Sequence, residues 1–319
     1  CSRTPSSRAP CALNRWMAEQ HGLSARDLMI EARTLVDARL ESWADRMAGE
    51  VPGRLGEALA YALRSPGKRV RPALVIGAAR AVGGEAEAVI EVATAVEIVH
   101  TYSLVHDDLP CMDDDALRRG RPTTHCAYDV ATATRVGFLL VPVAAQALAE
   151  AAESLHLASE ARQALAHDLF DAGGIRGMVG GQWLDLEAEG RQLDLPGLVA
   201  VHRGKTGALI RAAVVLGGIA GAATPPQLEA LRRFGEEIGL AFQVADDVLD
   251  ATATSEILGK TAGRDAALAK STYVGLLGVD GARAEAARHQ ALAISALEEA
   301  GLPSESLGAI ARYIVSRAS

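Results

Sequence analysis

The chain has 319 residues, 49% of them hydrophobic and 23% charged, a composition that supports a globular core. Its net charge of −8 and pI of about 5.6 exclude the basic surface expected of a nucleic-acid-binding protein. Cys1, Cys11, Cys111 and Cys126 show no CxxC spacing, so neither a zinc site nor a disulfide framework is expected, and a reducing, cytoplasmic compartment fits.

The opening stretch "CSRTPSSRAPCALNRWMAEQ" carries Arg3, Arg8 and Arg15, no acid before Glu19 and no apolar signal-peptide core. Residues 1–24 are expected to form a disordered extension, with Met17 as a candidate start, and 25–319 the folded domain. Ser24 predicts the cap of a helix over 25–48. "LGEALAYALRS" predicts a second, and "RPALVIGAARAVGG" a third that ends at Gly83-Gly84. "EAEAVIEVATAVEIVHTYSLVHDD" predicts a long apolar helix that stops before Pro110. Further helices are predicted over 128–152, 158–173, 196–221, 225–250, 281–300 and 304–317. No alternating strand pattern bounded by hairpin turns is visible. The fold class expected is all-α, a single helical domain whose central helices are apolar nearly all round and therefore buried. The apolar run from Val136 to Leu148, broken by Pro142, is too short to cross a bilayer, so no membrane span is expected.

"VHDDLPCMDDDALRRGRP" packs five carboxylates into a short span and follows them with Arg118 and Arg119. Asp107 and Asp113 would diverge by about 240° on a continuous helix. Pro110 ends that helix, so Asp113 can fold back toward Asp107. A second cluster lies in "QVADDVLDAT", where Asp246 and Asp250 share a helix face and Asp247 sits beside them. Hard oxygen ligands without His or Cys suit Mg²⁺, which keeps waters and shares its shell with phosphates. Cations accompany them: Lys68, Arg69 and Arg71 in "PGKRVRP", Lys205 in "HRGKTGALI" and Lys260 in "ILGKTAG". Arginine forks match phosphate oxygens, and lysine acts as a point charge. Each motif alone is also what a solvated surface would show. Together they predict that the acids bind metal, the metal binds diphosphate and the cations take the remaining phosphate charge.

In order and spacing, "GKRVRP", "HTYSLVHDDLPCMDDDALRRGRPTTH", "GMVGGQWLDLEAEG", "KTGALIRAAV", "GLAFQVADDVLD" and "LGKTAGRDAALAKSTY" resemble the polyprenyl diphosphate synthases, in particular the short-chain bacterial farnesyl diphosphate synthases. The resemblance runs from about residue 28 to the C-terminus. It implies an isoprenoid-synthase helical bundle around a central cavity, usually a homodimer, that condenses isopentenyl diphosphate with an allylic diphosphate. It implies two or three Mg²⁺, with Mn²⁺ as an alternative ion, held chiefly by Asp107, Asp113 and Asp246 with support from Asp108, Asp247 and Asp250. Arg118, Lys205, Thr206, Gln243 and Lys260 would hold the allylic diphosphate. Lys68, Arg71, His100 and Arg119 would hold isopentenyl diphosphate; on residue type alone, His100 reads as a buried structural histidine. Catalysis would fall to Asp107, Asp113, Asp246, Lys205, Thr206 and Gln243.

Tyr102 lies five residues before Asp107, about one turn deeper on the same helix. It is expected to floor the pocket for the growing chain and so to favour a C15 product; the alternative is that it simply fills the core. Four departures from the family pattern stand out: Phe138 where an Asp is common, Gly204 where a His is frequent, Ala269 and Val274 around "KSTY", and Ala116. Phe138 puts indirect support of the metal ligands in doubt. The rival readings are a geranyl or geranylgeranyl diphosphate synthase, a non-catalytic regulatory subunit, and a terpene cyclase of the same metal chemistry. Intact aspartates argue against the regulatory subunit. The set Lys68, Arg71 and Arg119 argues against the cyclase, which needs no second diphosphate site.

Overall fold

The computed structural model describes residues 24–252 and 271–316. The N-terminal extension, Lys260 and Ala269 lie outside the described residues. Ser24 opens α1 (Ala25–Glu50), its hydroxyl accepting from the Asp27 N–H at 3.2 Å. Leu28, Ala32, Val36 and Leu40 recur every fourth residue along α1 and form its buried stripe. After α2 (Arg54–Leu63) comes α3 (Val70–Ala81), in which every residue is buried except Arg71 and Arg80. A 3₁₀ turn (Glu87–Val89) leads into α4 (Ile90–Asp107), which ends before Pro110.

The chain continues through α5 (Thr124–Ala127) and α6 (Val130–Ser154), the latter capped by Asp129, which accepts from Thr132 N–H at 2.7 Å. Next come α7 (Ser159–Gly173), α8 (Met178–Glu187) and α9 (Leu195–His202). A single π-helical turn (Arg203–Gly207) joins α9 to α10 (Ala208–Ala220). The described chain closes with α11 (Pro225–Thr252), α12 (Tyr273–Glu299) and α13 (Glu305–Ser316).

The packing order explains which helices are apolar all round. α4 lies against α6, α3 and α1, while α10 lies against α3, α11, α7 and α4. Each fully buried aliphatic side chain, such as Val92, Val96 or Ile98 on α4, contributes roughly 1.5–3 kcal/mol. α10 crosses α3 so closely that a Cβ on Gly217 would run into the Val75 carbonyl. A smaller apolar cluster, with Leu198, Val244, Val248 and Tyr273, joins α9, α11 and α12.

Four local features depart from the sequence expectation. The helix expected over 196–221 is interrupted by the π turn. α12 begins at Tyr273, before the expected 281, and bends at Gly278, whose φ of 72° is left-handed. α8 was not foreseen. Leu117–Arg118 and Arg121–Pro122 form a two-stranded hairpin too short to show alternation. Its turn residues Arg119 and Gly120 both have positive φ, 52° and 77°, the signature of a tight hairpin turn.

The membrane expectation also needs correcting on length. Glu87–Asp107 and Val130–Ser154 are each long and apolar enough to cross a bilayer, with mean hydropathy 1.4. In the bundle 67% of the first apolar window and 50% of the second are buried against protein.

Candidate active site

The first acidic cluster is built by the end of α4. Asp107 is its last residue and Asp108 its cap, with Asp108 N–H still bonded to the Leu104 carbonyl at 3.1 Å. The loop after Pro110 then returns, and the Asp113 N–H donates to the Asp107 carbonyl at 2.8 Å. Burial is the main reason the Asp107 carboxyl rises from 3.8 to about 6. Lys205 opposes that rise, Asp113 adds to it, Arg118 opposes it and Asp108 adds to it. Asp107, Asp113, Arg118 and Lys205 therefore share one electrostatic environment, although they come from three separate segments.

Asp108 is turned inward. It is buried and accepts from Arg118 Nε at 2.7 Å. Burial pushes its carboxyl up, against the hydrogen bond and charge of Arg118. Arg118 Nη2 also reaches Asp115 Oδ2 at 3.3 Å. This pairing orients the guanidinium and makes Asp108 an anchor for Arg118.

The second cluster lies near the end of α11. Asp247 is 4% exposed and accepts from Gln243 Nε2 at 3.2 Å and from the Tyr273 backbone N–H at 2.8 Å. Gln243 Oε1 accepts in turn from the Thr206 hydroxyl at 3.0 Å. The one hydroxyl proton of Thr206 is thereby spent, so its oxygen presents lone pairs outward. Asp250 is buried, and its Oδ1 has no hydrogen-bond partner. Asp246 lies within the electrostatic reach of Arg71.

Glycine packing sets the position of the π turn that carries Lys205 and Thr206. α8 approaches so closely that a Cβ on Gly181 would overlap the Lys205 backbone nitrogen, and one on Gly204 would meet the Gly181 Cα. The departure at Gly204 thus permits a tight helix crossing. Lys205 Nζ donates to Asp185 Oδ2 on α8 at 2.6 Å. Neither Asp185 nor Gln182 was singled out from sequence, although both lie in the quoted stretch "GMVGGQWLDLEAEG". Gln182 is 6% exposed, with neither amide atom hydrogen-bonded. Two polar residues three apart, Gln182 and Asp185, among glycines and apolar residues were the available signal.

The third group is cationic. Arg69 is the structural member of "GKRVRP": at φ 53°, its buried guanidinium bonds Glu97 Oε1 at 2.7 Å and Asp37 Oδ1 at 2.6 Å. Glu97 is the one charge in the interior of apolar α4, between Glu91 in its first turn and Asp107 at its end, a signal that sequence reading passed over. With Arg69 held inside, Arg71 faces His100 and Arg119. Burial pulls the His100 imidazole well below its ordinary value, and Arg71, Arg119, Arg118 and Arg69 add to that, so His100 is neutral. Burial also lowers Arg71 and Arg119. Arg119 donates to the Pro66 carbonyl, and Gly67 lies where any side chain would strike the Arg69 and Arg119 guanidiniums. Lys68 sits in the same loop and has interactions of its own. Arg71 Nε and His100 Nδ1 are buried without a hydrogen-bond partner.

Tyr102 is half-buried, with its phenol raised by burial and then by Asp107. Its ring meets His106 edge-on at 5.0 Å, and His106 meets Phe138 edge-on at 5.5 Å. Phe138 is 66% exposed and touches this aromatic pair, so its influence runs to the Tyr102 side of α4. A cavity of about 610 Å³ opens behind the π turn, lined by Trp183, Arg203 and Arg211 among others. Its only carboxylate is Glu236, and it includes none of the six aspartates.

Among the described residues no three His, Cys, Asp or Glu side chains converge tightly enough to hold an ion by themselves. That suits an ion whose shell is completed by water and diphosphate oxygens. The unpartnered Asp250 Oδ1 fits such an ion, and the unpartnered Arg71 and His100 nitrogens fit a phosphate.

A helical bundle that carries two aspartate motifs and a separate cluster of buried cations has the makings of an isoprenoid-synthase type of enzyme. The polyprenyl synthetase family model matches residues 52–301, and the chain belongs to that family. It is 43% identical over 268 residues to the farnesyl diphosphate synthase of Escherichia coli, covering 82% of this chain and 88% of the relative. A farnesyl/geranylfarnesyl (FPP/GFPP) synthase of Zymomonas mobilis, solved in apo form, superposes with a TM-score of 0.79 at 36% identity, covering 91% of this chain and 98% of that one. A geranyltransferase of Helicobacter pylori, solved with magnesium and isoprenyl diphosphate, superposes with a TM-score of 0.76 at 32% identity, covering 93% and 98%. The chain is a prenyltransferase of the short-chain trans type.

Proposed function

We propose that this prenyltransferase condenses isopentenyl diphosphate with dimethylallyl or geranyl diphosphate and releases farnesyl diphosphate. The observation that carries the reading is the set of buried, unpartnered polar atoms: Asp250 Oδ1 in the second aspartate motif, and Arg71 Nε and His100 Nδ1 in the cationic cluster. Two anionic groups would satisfy them, one through metal and one directly.

Two or three Mg²⁺, held by Asp107, Asp113 and Asp246 with Asp250 in support, would neutralise the leaving diphosphate as the allylic C–O bond breaks. Arg118, anchored by Asp108, and Lys205, anchored by Asp185, hold the same diphosphate. Thr206 presents oxygen lone pairs to the allylic carbon as positive charge develops there. Arg71, Arg119, Lys68 and neutral His100 bind isopentenyl diphosphate, whose double bond attacks that carbon. A proton then leaves the new chain, and the departed diphosphate would accept it. Apolar walls on α4 and α10 keep water from the cation.

We also propose that two copies associate. The support is an exposed row on α6 in which Ala131, Phe138, Pro142 and Ala149 stand among the polar Arg135 and Gln146, opposite the face that packs in the core. Light scattering of the purified chain tests this, with a monomer mass at micromolar concentration refuting it.

The deciding experiment for the reaction incubates the protein with labelled isopentenyl diphosphate, each allylic primer and Mg²⁺, then sizes the dephosphorylated alcohols. A C15 alcohol supports the reading. A C20 alcohol favours a geranylgeranyl diphosphate synthase, and no elongation refutes both.

A further inference from the structure

Asp247 belongs to an aspartate motif, yet both its oxygens are committed to protein. Oδ1 accepts from Gln243 Nε2, and Oδ2 accepts from the backbone N–H of Tyr273, the first residue of α12. Behind Oδ2 stands His202, the last residue of α9 and the one directly before the π turn that carries Lys205 and Thr206. The His202 ring lies nearly parallel to the Tyr273 ring, with centroids 5.7 Å apart and planes at 15°. Its Nε2 is 3.7 Å from Asp247 Oδ2, too long for a hydrogen bond, and is buried without any partner. The Tyr273 hydroxyl is likewise buried and unpartnered. What these two side chains contribute is therefore the stacked pair of rings, packed beside Asp247 where α9 and α12 meet.

We infer that the His202–Tyr273 stack is a brace that fixes Asp247 and, through Gln243, fixes the Thr206 hydroxyl against the allylic substrate. Three elements meet in it: the end of α9, the body of α11 and the start of α12. A carboxylate accepts only, so Asp247 draws the Gln243 amide NH₂ toward itself and turns the Gln243 carbonyl to Thr206. Should Asp247 swing away, the Gln243 amide is free to flip, and Thr206 loses the acceptor that sets its lone pairs outward. His202 and Tyr273 act through other groups and are positioning residues. The inference rests on the condensation proposed above.

Steady-state kinetics with geranyl diphosphate and isopentenyl diphosphate varied in turn test it. His202→Ala and Tyr273→Ala should each raise the KM for geranyl diphosphate about five- to tenfold, the loss of one hydrogen-bonded contact. The KM for isopentenyl diphosphate should stay within twofold, because Arg71, Arg119 and His100 lie outside the brace. Tyr273→Phe, which keeps the ring, should restore the geranyl diphosphate KM that Tyr273→Ala loses. A purely architectural role would lower the active fraction and the unfolding temperature with both KM values unchanged, and that result overturns the brace. So does a Tyr273→Phe variant as impaired as Tyr273→Ala. If His202→Ala fails to fold, His202→Leu fills the space without the planar stack, and an unchanged KM ratio in that variant is equally decisive. Absence of any condensation by the wild-type chain is a different outcome, which removes the proposed reaction itself.

Discussion

The Asp113 N–H donates to the Asp107 carbonyl at 2.8 Å. This bond spans six residues and closes the loop around Pro110. It brings back to one side two carboxylates that a continuous helix would separate by about 240°. The proposed metal binding by this pair therefore depends on a helix stopping at the right residue.

Asp107→Ala and Asp246→Ala are each expected to lower kcat by at least about a hundredfold, the usual cost of removing one stabilising group from a developing negative charge. Chelation with EDTA should abolish turnover, and added Mg²⁺ should restore it. Full turnover in EDTA would end the metal assignment.

Arg119→Ala should raise the KM for isopentenyl diphosphate more than that for the allylic primer, and Lys205→Ala the reverse. One charge-assisted hydrogen bond corresponds to about 1.5–3 kcal/mol, or roughly ten- to a hundredfold. Equal effects of both substitutions on both substrates would refute two separate diphosphate sites.

Tyr102→Ala should lengthen the product beyond C15. The ring occupies space between the core and His106, and its removal leaves an apolar void that a longer chain can fill at about 25 cal/mol per Å². The alcohols released after phosphatase treatment report the length. An active variant that still yields C15 alone would make Tyr102 a core residue and no floor.

Asp107 has a carboxyl raised from 3.8 to about 6, so between those values the folded state binds more protons than the unfolded one. Stability then falls as pH rises through that window, and the penalty is complete above about 6. Asp107→Asn lacks the penalty. In EDTA it should unfold at a higher temperature than wild type at pH 7, with the gap closing as pH falls through 6 and gone below 3.8. A constant gap across this range would contradict the buried carboxylate. Asp107, the proposed metal ligand, would then be kept at a cost in stability.

Glu97→Gln should destabilise the chain by about 3–5 kcal/mol in denaturant titrations, because it leaves the buried Arg69 charge short of a partner. It should also raise the KM for isopentenyl diphosphate, since Arg69 caps the helix from whose first turn Arg71 projects. A loss below about 1 kcal/mol would place the Arg69–Glu97 pair among exposed ion pairs.

Local rules made much of the molecule legible in the residues alone. Helical periodicity and capping at Ser24 and Asp129 belong to this group, as do the stop before Pro110 and the i,i+4 pair of Asp246 and Asp250, because each depends on neighbours within a turn or two. The same local rules missed α8, whose glycines are poor helix formers until Gly181 is pressed against Lys205. They also missed the π turn, since nothing in "HRGKTG" by itself distinguishes it from ordinary helix. Which charge does which task was decided only by tertiary structure. Arg69 turns inward because Glu97 waits on another helix, Asp108 because Arg118 comes back on a hairpin, and Asp247 because the Tyr273 N–H, 26 residues away, is buried and needs an acceptor. A buried polar group must find its partner wherever the fold supplies one, and residue spacing does not encode that distance.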